Sequence, residues 1–137
     1  MRDFLIEGFE YDLWANLRWT PIVGQLDQAE PILRHVLQSQ RIWLARCLGE
    51  ESMRAWSDSL DEALKAANED WIELIRIGDP EAFVTYERNG KTHFQTIEQI
   101  SRHVINHGTY HRGQLRNLAE GMDFPETDFI LFVRERA

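Results

Sequence analysis

The sequence predicts an all-α fold, a four-helix bundle with a small β-hairpin between the third and fourth helices. Three observations lead there. Four segments of bundle length repeat apolar residues at helical spacing, capping and turn residues separate them, and Asn89-Gly90 stands between two strand-like runs.

The first helix spans about residues 2–24, where Leu5, Phe9, Leu13 and Leu17 recur at a step of four and Pro21 should kink or end the helix. The second begins near Pro31, a residue type suited to a first helical turn. It closes at Gly49 and carries Ile32, Val36, Trp43 and Cys47 on one side. Ser59 is placed to cap the third helix, which runs to Gly78 with Leu60, Leu64, Trp71, Leu74 and Ile75 as its apolar face. In "FVTYERNGKTHFQT" the Asn-Gly pair favours a type I′ turn, because both residues tolerate positive φ, and a two-residue turn sets His93 opposite Tyr86. The fourth helix starts near Thr96, where "TIEQ" fits a capping box, and ends near Gly121. The tail "DFPETDFILFV" reads as a loop and a short apolar element whose type the pattern leaves open. No repeat or linker interrupts the 137 residues, so one domain is expected over 1–137.

Composition narrows the function classes. The chain holds 15 basic and 23 acidic residues, a formal charge of −8, and no Lys/Arg cluster, which argues against nucleic acid or an anionic membrane surface as the main partner. Cys47 is the single cysteine, so an internal disulfide is ruled out. Acids interrupt every apolar run near the N-terminus, and "FILFV" is far too short to span a bilayer. A soluble, cytoplasmic protein is expected.

The chemistry concentrates in "HVINHGTYHRGQL", residues 103–115. Residues four apart on a helix differ by ~40° and ~6 Å, so His107 and His111 project from one face, close enough to hold one metal ion. Ile97, Ile100, Val104, Leu115 and Leu118 define this helix's apolar arc, which places His111 near its middle, His107 about 40° away and His103 about 80° away at the edge. An imidazole aimed into a bundle core requires a partner, and a metal supplies one. Two histidines seldom hold a metal tightly, so His35 on the second helix is the expected third ligand. His103 then becomes a supporting or rim residue, and His93 a solvated strand residue. Three neutral imidazoles leave coordination positions open for water or substrate. Gln114 faces roughly the same way as His103, where its amide could orient a bound group. Gly108 lies on the apolar arc and allows a neighbouring helix to approach closely. The arc gives no reason for Gly113. Cys47 reads as a buried, inert thiol, and the tryptophans within helices read as core.

With these residues in hand, the chain resembles the DinB-like (damage-inducible, YfiT-related) family of metalloenzymes. "YDLWANLR" at 11–18 looks like that family's first-helix Trp-Ala-Asn signature. "ILRHVLQSQRIWLARCLG" at 32–49 looks like its second helix, with His35 at a ligand position, and "INHGTYHRGQL" at 105–115 looks like its HxxxHRGQ motif. The tail "FPETDFILFV" is also similar. The resemblance implies a homodimeric four-helix bundle with one divalent cation on His35, His107 and His111, zinc or nickel first, with iron or manganese also compatible. It further implies a small-molecule substrate, since characterised relatives include transferases and isomerases that use low-molecular-weight thiols such as bacillithiol, mycothiol or glutathione. Thiol transfer or hydrolysis is the expected reaction. The alternative is a non-catalytic, stress-related bundle that binds a metal or ligand. A di-iron carboxylate centre is disfavoured because no Glu-x-x-His pair occurs.

Overall fold

Local sequence signals set most of the element boundaries in the computed structural model, which describes residues 1–137. The order is α1 (Arg2–Val23), α2 (Glu30–Leu48), α3 (Leu60–Ile77), β1 (Phe83–Arg88), β2 (Lys91–Thr96), α4 (Ile97–Leu118) and α5 (Phe129–Arg136). The Ser59 side chain accepts from the Glu62 N–H at the start of α3, and Thr96 and Gln99 form a reciprocal capping box at the start of α4. Asn89 and Gly90 both take positive φ (53° and 76°), closing the antiparallel hairpin in the register that pairs Tyr86 with His93.

Pro21 falls in the last turn of α1, two residues before the helix ends at Val23. A proline there cannot donate to the Leu17 carbonyl, and the Thr20 hydroxyl donates to that oxygen instead, at 3.0 Å. Two features nearer the C-terminus add to or differ from the sequence reading. The fourth helix stops at Leu118, short of Gly121, and the open tail segment is a fifth helix. Docking stabilises α5: Phe132 is buried against Tyr11 and Ala15, Trp14 Nε1 donates to Glu135, and Arg136 pairs with Glu10.

The α1 stripe also departs from a step of four. A strict step of four drifts by ~40° each turn, so Leu13 and Leu17 slip to half-buried positions. The buried stripe runs instead through Leu5, Phe9, Asp12, Asn16, Trp19 and Val23. Two apolar clusters fill the bundle. Trp19, Leu33, Val36, Leu64 and Leu115 lie in one, and Phe9, Leu44, Trp71, Ile100 and Val104 in the other, with Phe9 stacked on Trp71 at 5.0 Å. Along α1, α2 and α4, buried polar residues lie between the two clusters, among them Asp12 with Asn16, Gln40, and Arg112.

These polar residues form one network. Arg112 Nη1 donates to Asp12 Oδ1 and to Asn16 Oδ1, both at 2.7 Å, while Asn16 and Gln40 donate to Asp12 Oδ2 at 3.2 and 2.9 Å. Asp12 is 0% and Arg112 3% exposed. Burial pushes the Asp12 carboxyl above its ordinary value, and the Arg112 guanidinium and the three donors pull it back. The adjacent guanidinium and three N–H donors on the two Asp12 oxygens favour the carboxylate form. Such a pair is costly to desolvate and adds little net stability, but removing one partner strands a buried charge. It therefore fixes the rotation of α4 against α1.

Candidate metal centre

That rotation decides where the histidines of α4 point. The apolar arc expected from Ile97, Ile100, Val104, Leu115 and Leu118 would have put His111 near its middle. The buried face instead runs through Ile97, Ile100, Ser101, Val104, Gly108, Arg112 and Leu115. Leu118 is 37% exposed, and His107 and His111 sit half-buried at the margin. The reason is Arg112: once its charge is matched by Asp12, the arginine occupies a core position that hydrophobicity alone would deny it. Gly108 makes room for the pair. A Cβ there would collide with Asp12 Oδ1 and lie 2.9 Å from Arg112 Nη1, so the close approach expected at Gly108 is that of the α1 carboxylate. Gly113 faces open space, and nothing in the structure requires a glycine there.

Helix α2 brings His35 to the same margin. It stands exposed at the rim of the α2 face that packs on α4, next to buried Val36. Its ring centroid lies 4.9 Å from that of His107 and 4.8 Å from that of His111; the latter two are 4.3 Å apart. One ring nitrogen from each of the three falls within 4.8 Å of the others.

Two details orient the rings. His111 Nδ1 is 2.6 Å from Gln114 Oε1; an amide oxygen can only accept, so Nδ1 carries the proton and Nε2 presents its lone pair. That Nε2 lies 3.0 Å from Nε2 of His107. Gln114 thus holds a histidine, where the sequence suggested direct contact with a bound group. His107 is pushed down to about 4, first by burial and then by the neighbouring imidazoles His111, His35 and His103, so it is neutral at physiological pH.

An ion ~2.0–2.1 Å from each nitrogen needs ligand atoms ~3.3 Å apart in a tetrahedral set. The His107–His111 pair is near that value, and His35, exposed and free of hydrogen bonds, can turn to close the remainder. The donor set is nitrogen only, which suits borderline divalent ions.

The other two histidines stay outside the cluster. His103 has its ring 6.0 Å from that of His107 and packs edge-on against Trp43 at 5.3 Å. Burial and the nearby Arg88 charge lower its pKa. His93 stacks on Tyr86 at 5.5 Å and is half-buried rather than freely solvated. Cys47 is half-buried, and desolvation raises its thiol to about 12, far from a reactive value. Apolar periodicity carries no signal for Asp12, Asn16, Gln40 and Arg112, although Asp12 and Asn16 sit four apart on the stripe of Leu5, Phe9 and Trp19.

Fold and site together define a helical bundle whose distinguishing feature is an imidazole cluster shared between its second and fourth helices. The sequence pattern of the DinB family matches residues 7–133, and the chain belongs to the DinB family. Protein DinB of Bacillus subtilis (strain 168) is 24% identical over 164 aligned positions, which cover 97% of this chain and 95% of that protein. No solved structure matches the chain. No helix is long and apolar enough to cross a membrane.

Proposed function

We propose that the protein is a metal-dependent enzyme acting on small molecules by thiol transfer or hydrolysis, with a divalent cation, zinc or nickel first, on His35, His107 and His111. The observation that carries this reading is the convergence of three ring nitrogens within 4.8 Å, drawn from two helices far apart in sequence. Membership of the DinB family supports it.

Each part of the chain has a task in that reading. Neutral His107 offers a lone pair without prior deprotonation. Gln114 fixes the His111 tautomer, leaving Nε2 free to coordinate. The Asp12–Arg112 pair holds both rings toward α2 by setting the rotation of α4. His35 completes the set from an exposed position, so the site opens to solvent and a substrate can reach it. When bound, the divalent ion supplies Lewis acidity that favours the deprotonated form of a thiol or water at neutral pH.

The substrate is a small molecule, of which a low-molecular-weight thiol is the leading class. The protein acts as a homodimer: Phe4, Tyr110, Phe129 and Ile130 are exposed apolar residues, and Phe4 and Phe129, with Ile105, line a cavity of about 520 Å³ that holds none of the histidines. The single unpaired Cys47 fits a cytoplasmic location.

Metal-loaded protein incubated with a panel of thiols and electrophiles tests the reading. Turnover that depends on the loaded metal supports it. Metal uptake with no turnover across the panel would leave a metal-binding module and remove the enzyme.

A further inference from the structure

Beside the histidine cluster, between α2, the hairpin and α4, lies a cavity of about 290 Å³. His103 is the shared wall: its ring is 6.0 Å from that of His107 on one side and 5.3 Å from that of Trp43, which lines the cavity, on the other. Trp43 and Tyr86 meet edge-to-face at 5.1 Å and form an apolar side. The polar groups along the rest are Arg88, Gln95 and Gln99, and no acidic residue lines the cavity.

Their hydrogen bonding is one-sided. Gln95 Oε1 already accepts from the Tyr86 hydroxyl, and Gln99 Oε1 from the Thr96 N–H in the capping box. Both amide NH₂ groups are left as donors. Arg88 forms no ion pair, in a chain of net charge −8 whose other exposed arginines include several paired with Glu or Asp. Arg46 likewise forms no ion pair; it lies 4.5 Å over the Trp43 ring and 4.7 Å over the Tyr86 ring, adding positive charge behind the aromatic wall. The cavity offers amide donors and cationic charge, with both glutamine oxygens already engaged and no carboxylate in its lining, and an apolar side for a carbon skeleton. A carboxylate is the complement of that lining.

We propose that this cavity binds the carboxylate end of the small-molecule substrate, with Arg88 as the specificity-determining charge, so that the reacting end of the same molecule reaches the three histidines past His103. The substrate class is thus an organic acid with an apolar or aromatic stem. This inference rests on the metal-dependent reading only for what happens at the reacting end.

The test uses metal-free full-length protein with 3-phenylpropionate as probe and 3-phenylpropionamide as its neutral counterpart, following the Trp43 indole and the Gln95 and Gln99 side-chain amides by NMR. The acid is expected to shift these signals and to bind about 10-fold more tightly than the amide, with Arg88→Gln removing about that factor. Arg88 is exposed at the end of β1 and leaves the bundle core untouched, so thermal stability should not change in the variant. Equal binding of acid and amide, no binding of the acid at millimolar concentration, shifts confined to other residues, or an Arg88→Gln variant that binds like wild type would each overturn the proposal. Carboxylate preference in a protein that loads no metal would sink the metal-dependent reading alone. Metal loading without carboxylate preference would sink this inference alone.

Discussion

Replacing Asp12 by asparagine keeps the shape of the side chain and removes its charge, leaving the Arg112 guanidinium, 3% exposed, without a counter-ion. Breaking one partner of a buried ion pair costs about 3–5 kcal/mol, mostly from the stranded charge. At ~2.1 cal/mol/K of unfolding entropy per residue, a chain of 137 residues should lose about 10–17 °C in Tm. The amide that replaces the carboxylate has a single oxygen to accept from Asn16, Gln40 and Arg112, so the hydrogen bonds do not compensate. The assay is urea unfolding in the presence of a chelator, which removes any contribution of bound metal to apparent stability. Pairing Asp12→Asn with Arg112→Gln should recover a large part of the loss, giving a coupling of at least ~1 kcal/mol. A single-variant loss below ~1 kcal/mol, or strict additivity of the two substitutions, would refute the claim that this pair sets the rotation of α4.

Three further outcomes follow from the same geometry. Gly108→Ala should destabilise by about 1–3 kcal/mol through collision with Asp12 and Arg112, despite a helix-propensity gain of ~1 kcal/mol; an unchanged urea midpoint would contradict it. Gln114→Ala should weaken metal binding about 10–100-fold by freeing the His111 ring, with little change in Tm; competition against a chelator of known affinity measures it. His107 titrates at about 4 in the folded chain and near ~6.5 unfolded. Between those values the unfolded state binds the extra proton, so metal-free stability should fall as pH drops from ~6.5 toward 4, and the contribution of His107 should be lost below that. His107→Gln should flatten this acid limb in Tm measured against pH, and identical profiles would contradict the assignment.

The sequence made some parts of this molecule legible and hid others, for physical reasons. Capping at Ser59 and Thr96 and the Asn89-Gly90 turn are local, so short motifs sufficed for the helix starts and the hairpin register. The clustering of His35, His107 and His111 was legible because a helical repeat puts two on one face and a margin position on α2 brings the third beside them. The rotation of α4 was not legible, since it depends on a charge pair spanning 100 residues, and a hydrophobicity pattern treats both partners as surface groups. The same blindness shifted the α1 stripe away from Asp12 and Asn16. Helix α5 leaves no clear signal in the sequence, because its apolar run is short and its stability comes from Tyr11, Trp14 and Glu10 on a distant element.

The proposed binding of one divalent cation by His35, His107 and His111 underlies the metal-dependent function. Its most direct test is the metal affinity of wild type and of five single variants, His35→Ala, His93→Ala, His103→Ala, His107→Ala and His111→Ala, measured in one buffer with zinc or nickel. Wild type should take up close to one equivalent. Loss of any of the three clustered imidazoles should lower affinity sharply, His103→Ala should cost at most about 10–100-fold, and His93→Ala should be close to silent. Failure of wild type to load any first-row divalent metal, or loss of binding in His103→Ala with binding intact in His111→Ala, would contradict it.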